Sequence, residues 1–511
     1  MTFNSIEIIQ DIRTDFEKMI DFVMGEAART ATADKIERGL FSLLLTLGAK
    51  LLGLFFAMRS QACERDKHPR RDGCELPYQQ DKKRAYYSIF GKLPIWRPYF
   101  YQQSCGGENP LDAELSLGDD CYSDLVREIS EYLEVYTVYG KSSDMLKRLL
   151  GLQLSTRALQ ENMAEDARDV EAYYAQKPPP TPAEEAEILV IQADGKGVPL
   201  ILAEPAEGKV RLGKGEKRGR KKEAVVTTVY TIAAKPRTPQ EVVASYFNPD
   251  QSEKPAALPS KPQNKHIWAT LDGKDTALAR LSRQVGLRQG AHIQHKVALC
   301  DGCEALQSRL TTQFADFDLV LDFIHADEYL WKVANCLLGE TNDQRFEWMA
   351  QRTLQMLSGE TAPLISNFRQ LAQEPQTTQA QRTQLNQAAN YFERNLPHMD
   401  YPTYLANGWP IASGVIEGAC RHFVKDRCEL SGMRWHQTGA ENLLRLRAVA
   451  ENDDWDAYHA FRRRQRHLRL YGTPSPHSQP IEVQVINSPS PTLEPIPATY
   501  PPNYQQLPLA A

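Results

Sequence analysis

The chain has 511 residues, 42% of them hydrophobic and 24% charged, the proportions of an ordinary soluble protein. That length leaves room for roughly two to four domains and a sizeable core. A net charge of −5 excludes a generally basic, nucleic-acid-coating chain, so any basic surface must be local, and nine scattered cysteines show no disulfide framework and suit a reducing cytoplasm.

The first residues, Met1-Thr-Phe-Asn-Ser-Ile-Glu, carry neither a basic run nor a cleavage site, so no signal peptide and a cytoplasmic location are expected. Residues 1–62 read as two or three helices. The stretch 40–58 is long and apolar enough to raise a membrane span. Leu40, Leu44, Leu47, Leu51, Leu54 and Met58, however, step by four and three around Lys50, the spacing of a helix-packing seam, so a buried or dimerising helix is expected. Residues 63–122 form a loop and β region bearing Cys63, Cys74, Cys105 and Cys121, with His68 nearby. A structural zinc site could be drawn from these, but Gln102 stands where a CxxC pair with Cys105 would need cysteine, and free buried cysteines fit better.

Residues 123–176 are helical. Within them, 142–150 and 155–163 are two short helices about a glycine turn, with Ser155 or Thr156 as the N-cap. As a helix-turn-helix they would carry Arg157 and Gln160 to a DNA groove, and as a packing unit they would not. Lys177-Pro-Pro-Pro-Thr-Pro182 is a stiff linker and a domain boundary.

Apolar runs 188–191 and 198–203 flank Gln192-Ala-Asp-Gly-Lys-Gly197, which reads as strand, tight turn, strand. By itself this is an Asp-Gly hairpin, with Asp194 as a turn residue. Eight of the residues 208–222 are Lys or Arg: Lys209, Arg211, Lys214, Lys217, Arg218, Arg220, Lys221 and Lys222. Such a loop neutralises phosphates without reading sequence. A strand over 224–233 follows, then a Pro-rich loop. Strands at 267–271, 296–299 and 318–321 alternate with helices at 276–285 and 304–314, which predicts a mixed sheet with helices on its faces. Asp301 and Asp322 sit just past two of these strands, where such sheets place ligands, and His325 follows Asp322 by three. Residues 326–405 read as an all-helical insertion. In 406–450, Ser413-Gly414 starts a helix with Glu417, Arg421 and Val424 on one face. Residues 451–471 form a basic helix, and 472–511 a disordered tail rich in Pro and Ser.

Asp194, Asp301 and Glu417 therefore suggest one site. Three carboxylates repel unless cations neutralise them, and oxygen ligands select two Mg²⁺ or Mn²⁺ ions, which suit in-line phosphoryl displacement. The order of hairpin with Asp, strand with Asp and helix with Glu is that of ribonuclease-H-like nucleases and transposases. Ala193-Asp-Gly-Lys-Gly-Val198, Val320-Leu-Asp-Phe-Ile-His325, Ser413-Gly-Val-Ile-Glu-Gly-Ala-Cys-Arg421 and Leu430-Ser-Gly-Met-Arg-Trp435 resemble the DDE transposases of ISKra-type bacterial insertion sequences. The resemblance covers roughly residues 85 to 470.

It implies an α/β ribonuclease-H-like catalytic core, beginning at 185–325, with an all-α insertion and a largely helical N-terminal region. It implies metal-dependent cutting of element ends and joining of the 3′-OH to target DNA, with Asp194 and Glu417 as outer members of the triad. Asp301 is expected as the middle ligand and Asp322 with His325 in support, the alternative being Asp322 as ligand. Cys300 and Cys303 bracket Asp301 in a CxxC spacing that lacks a second pair. Besides the basic loop, Arg421, Arg427, Arg434, Trp435 and the arginines of 462–469 are expected near double-stranded DNA, and joining two ends calls for a dimer or larger assembly. A nuclease that cuts without joining, or a DNA-binding protein with a retired site, are the rival expectations.

Overall fold

The computed structural model describes residues 5–71, 73–201, 221–247, 261–430 and 432–474. The basic positions Lys209, Arg211, Lys214, Lys217, Arg218 and Arg220, most of the Pro-rich loop and nearly all of the expected tail lie outside them. Helices α1 (Ser5–Met24) and α2 (Ala33–Ala62) form a hairpin, with Lys50 of α2 bonded to Asp15 and, at 2.6 Å, to Asp11 of α1. Phe56 turns inward onto Tyr86 with ring centroids 5.1 Å apart, yet Leu44 and Met58 of the expected seam remain 54% and 55% exposed. Among the described residues α2 is the one helix long and apolar enough to cross a membrane, and little of it is buried.

A meander of β1 (Tyr78–Ser88), β2 (Gly91–Gln102) and β3 (Gly106–Glu108) follows. Cys74 and Cys105 are joined as a disulfide, while Cys63 and Cys121 stay free. The zinc set does not assemble, and the expectation of free cysteines fails for this pair.

Helices α3 (Asp124–Tyr136), α4 (Tyr139–Leu150), α5 (Thr156–Asp166) and α6 (Val170–Gln176) follow the predicted pattern. Gly151 ends α4 at φ +68°, a conformation that favours glycine, and the Ser155 hydroxyl caps α5 by accepting from the Ala158 N–H at 3.1 Å. Arg157 is exposed and pairs with Glu161 at 2.8 Å.

The central sheet has five strands: β4 (Ile188–Pro199), β5 (Lys221–Ile232), β6 (Gln263–Thr270), β7 (His295–Cys300) and β8 (Asp318–Leu321). Their order is β8-β7-β4-β5-β6, parallel between β8, β7 and β4 and antiparallel across β4, β5 and β6. The expected turn at Asp194-Gly195 is absent. β4 runs straight through it, pairing Asp194 with Val226 and Gly197 with Glu223. Here the glycines make room instead of bending the chain: a Cβ on Gly195 would lie 2.2 Å from Glu223 Oε1, and one on Gly197 would lie 2.9 Å from the Lys221 side chain.

Helices α7 (Lys274–Arg288) and α8 (Glu304–Gln313) cover one face of the sheet, over Leu189, Ile191, Ala193 and Ala298. The other face, through Ile188, Val190, Val297, Leu299 and Val320, is buried under the helical block that includes α9 (Phe323–Leu338), α10 (Gln344–Leu357), α11 (Thr361–Gln373) and α12 (Gln379–Asn395). That block stands between β8 and the Glu417 segment, as expected. α13 (Gly414–Gly418) carries Glu417 and passes directly into a π-helical stretch, Ala419–Lys425. The extra residue per turn breaks the expected common face, leaving Arg421 exposed while Val424 is buried.

The chain continues into α14 (Gln437–Glu451) and α15 (Trp455–Tyr471). Several arginines of α15 are engaged within the protein instead of being free for DNA. Arg462 is 1% exposed and bonds Asp124 at 2.9 Å and Asp166 at 2.8 Å; Arg466 bonds Asp124 at 2.7 Å; Arg469 bonds Asp169 at 2.7 Å. Arg127 of α3 completes the cluster, its Nε 2.8 Å from Asp166. The reason is local: α15 packs on helices whose inner faces carry carboxylates, and buried charges must be paired.

His459 of α15 lies in the same interior, 3.8 Å from Glu131, and burial pushes its imidazole from 6.5 down to about 3. Between those values the unfolded chain binds a proton that the folded chain refuses, so stability falls as pH falls through that window. Urea titrations from pH 7 to pH 4 should show the wild type losing on the order of 2–4 kcal/mol more than His459→Gln. Parallel curves for the two proteins would contradict this account.

Candidate functional site

The parallel pairing of the three strands ends in one row, although β4 itself runs on to Pro199. Gln192 of β4 pairs with Leu299 of β7, which pairs with Val320 of β8. Two residues beyond each of these stand Asp194, Asp301 and Asp322. The sequence expectation that these carboxylates share one end of the sheet therefore holds, and the backbone links two of them directly: the Asp322 N–H donates to the Cys300 carbonyl at 2.9 Å.

Each aspartate is oriented by its own neighbours. Asp194 accepts from its next N–H, Gly195, at 2.6 Å and from the Cys420 thiol at 3.2 Å. Asp301 accepts from the Cys303 N–H at 2.9 Å, while the Cys300 thiol lies 3.5 Å from the same oxygen. Both remain half-buried. Asp322 is fully buried and caps α9, accepting from the Ile324 N–H at 2.8 Å, from His325 Nδ1 at 3.0 Å and from the Ser413 hydroxyl. Three hydrogen bonds thus converge on it.

Glu417 arrives from the far end of the chain. Its carboxylate lies 3.7 Å from His325 Nδ1 and 3.4 Å from the Ser413 hydroxyl. Among the described residues, Asp322, His325 and Glu417 are the one group of three or more potential metal ligands close enough to share an ion. Asp194 and Asp301 stand outside that group. The hydrogen bond to Asp322 raises the His325 imidazole to about 9, so a cation already sits between the two carboxylates.

Sequence reading missed what holds Glu417 in place. Gln192, wholly buried, accepts from the Ile416 N–H at 2.9 Å and donates to the Tyr230 hydroxyl at 3.2 Å, tying α13 to the central strand. The signal was available, since Gln192 is the polar residue that follows the apolar run 188–191. Tyr391 and Arg394 of α12 were missed for a different reason: their partners are backbone carbonyls, of Asp301 at 3.1 Å and of Gly302 at 2.8 Å. Gly302 sits at φ +87°, and a Cβ there would come within 2.7 Å of the Tyr391 hydroxyl.

Several expected DNA contacts are spent elsewhere. Arg427 is buried and donates to the Glu134 carbonyl at 2.8 Å, and Trp435 is buried with its indole N–H on the Cys428 carbonyl at 3.1 Å. Their roles are internal. Lys221 pairs with Glu429, and Lys222 bonds Gln437 at 2.9 Å. Arg421 and Arg434 are exposed. Cys300 and Cys303 gather no further thiols.

Gln192→Leu should leave the Ile416 N–H unsatisfied in the interior and lower stability by about 1–3 kcal/mol. Urea denaturation measures this, and unchanged hydrogen exchange at Ile416 would contradict the tether. His325 gives a second outcome. Its folded imidazole titrates above the ordinary 6.5, so the stability it adds is complete below about 6.5 and lost as pH rises toward 9. The stability difference between metal-free wild type and His325→Gln should shrink from pH 6 to pH 9. The chain matches no protein-family model and no curated protein, so the reading of this site rests on its geometry.

Proposed function

We propose that the chain is a DNA transposase built on a ribonuclease-H-like core, which cuts the ends of its element and joins the 3′-OH to target DNA. The observation that carries this reading is the row of Asp194, Asp301 and Asp322 just past the parallel pairing of three adjacent strands, met by Glu417 from a helix tied back to Gln192. The strand order, with three antiparallel strands followed by two parallel ones, supports the same fold.

Carboxylate oxygens suit divalent cations, three of the four carboxylates are solvent-reachable, and Glu417 belongs to a group close enough to share an ion. Asp194, Asp301 and Glu417 would hold two Mg²⁺ or Mn²⁺ ions, which when bound neutralise the phosphate and stabilise both oxygens of an in-line displacement. Asp322 and His325 position Glu417 through Ser413 and the 3.7 Å pair. Arg421 and Arg434, exposed on the chain that follows Glu417, are the backbone contacts of this reading, together with the basic loop beyond the described residues. The exposed apolar face of α2 supports pairing with a second copy, as joining two ends requires.

The test uses the full chain, a labelled duplex carrying the element's end, a target plasmid and Mg²⁺ or Mn²⁺. Cleavage and joined product are expected, and Asp194→Asn and Glu417→Gln should each lower both by on the order of a hundredfold or more. Cleavage without joining would make the protein a nuclease. DNA binding without cleavage, unaltered by Asp194→Asn, would leave a binding protein and overturn the proposal. Leu44→Glu should reduce the mass measured by light scattering to that of one chain, and an unchanged mass would remove α2 from the assembly.

A further inference from the structure

The helical insertion carries a groove that the proposed chemistry does not use. It is a cavity of about 640 Å³ between α9 and α12. Its walls include the ring pair Tyr329 and Tyr391, stacked with centroids 3.9 Å apart, the cations Lys332 and Arg394, and the amides of Gln387 and Asn390. No carboxylate lines it. Lys332 lies 4.2 Å above the Tyr329 ring and Arg394 5.7 Å from the Tyr391 ring, and neither has an ion-pair partner among the described residues. Two cations line the one groove on a chain whose net charge is −5.

The groove is joined to the catalytic end of the sheet. Tyr391 forms its floor and bonds the Asp301 carbonyl at 3.1 Å, while Arg394 bonds the Gly302 carbonyl at 2.8 Å. Beneath them Gln307 of α8 donates to Asn395 at 2.8 Å, so the end of α12 is fixed against the Asp301 loop.

We propose that this groove seats the sugar–phosphate backbone of the DNA leading to Asp301, with Lys332 on a phosphate and the amides on neighbouring oxygens. The chemistry is that of a backbone track: cations and amides for phosphate, and no acid to repel it. A strand seated here would bear on the residues that hold Asp301, so the insertion would align DNA and catalytic loop together. This inference rests on the DNA reading above.

The experiment measures binding of the full chain to a fluorescein-labelled mixed-sequence duplex by anisotropy across a series of KCl concentrations. Lys332 and Gln387 are exposed, so Lys332→Ala and the double variant Lys332→Ala/Gln387→Ala should keep the fold. Lys332→Ala should weaken binding roughly threefold to tenfold and lower the slope of log affinity against log salt by about one, with Lys332→Arg restoring both. The double variant should bind more weakly still. If the wild type binds and Asp194→Asn abolishes cleavage, but the Lys332 variants keep wild-type affinity and slope, the groove proposal fails and the transposase reading stands. Weaker binding with an unaltered slope would overturn the phosphate assignment. A wild type that binds no duplex and cleaves none would overturn both.

Discussion

Four carboxylates gathered at one end of a sheet repel one another, and the surrounding structure answers that repulsion piece by piece. Asp322 is carried to zero exposure, which only its full set of donors makes tolerable: the first turn of α9, the Ser413 hydroxyl and a protonated imidazole. Asp194 and Asp301 are each held by a nearby backbone N–H and approached by a thiol. Glu417 keeps most of its freedom and leans on His325. The site is thus arranged with its charge partly compensated from within, and the remaining negative potential faces solvent.

That arrangement needs an unyielding platform, and the sheet supplies one by being covered on both faces. Helices α7 and α8 bury one side, and the insertion buries the other with Leu330, Phe368 and Phe392. The insertion is therefore no ornament on the core. It forms much of the wall against which the aspartate-bearing strands pack, and its last long helix reaches the Asp301 loop through two side chains.

Alternation made most of the core legible in the sequence. Strands and helices from residue 267 to 321 fall where β-rich and helical patterns placed them, and residues 326–405 hold helices and no strand, because periodicity is a local property. The failures were of the non-local kind. Asp194-Gly195 carried the strongest short-range turn signal, yet a long partner strand kept the chain extended through it. Arg462 and Arg466 of α15 looked like part of a basic surface because their carboxylate partners lie some three hundred residues away in sequence. Arg427 was misjudged for the same reason. The shared face of Glu417, Arg421 and Val424 assumed α-helical spacing, and one π-helical stretch undid it. At the site, residue types were readable and their partners were not.

The buried pairs between α15 and helices α3 and α5 also bear on when the protein can become itself. Arg462 and Arg466 emerge from the ribosome long after Asp124 and Asp166, and until then Asp166 has Arg127 alone of its arginines while Asp124 has neither of its own. The helices that precede the sheet must wait for the segment that follows it. Folding by such distant closures is slow and ends only once synthesis nears completion. A truncated product lacking α15 would leave Asp124 and Asp166 buried without these partners and the helices that carry them unsettled.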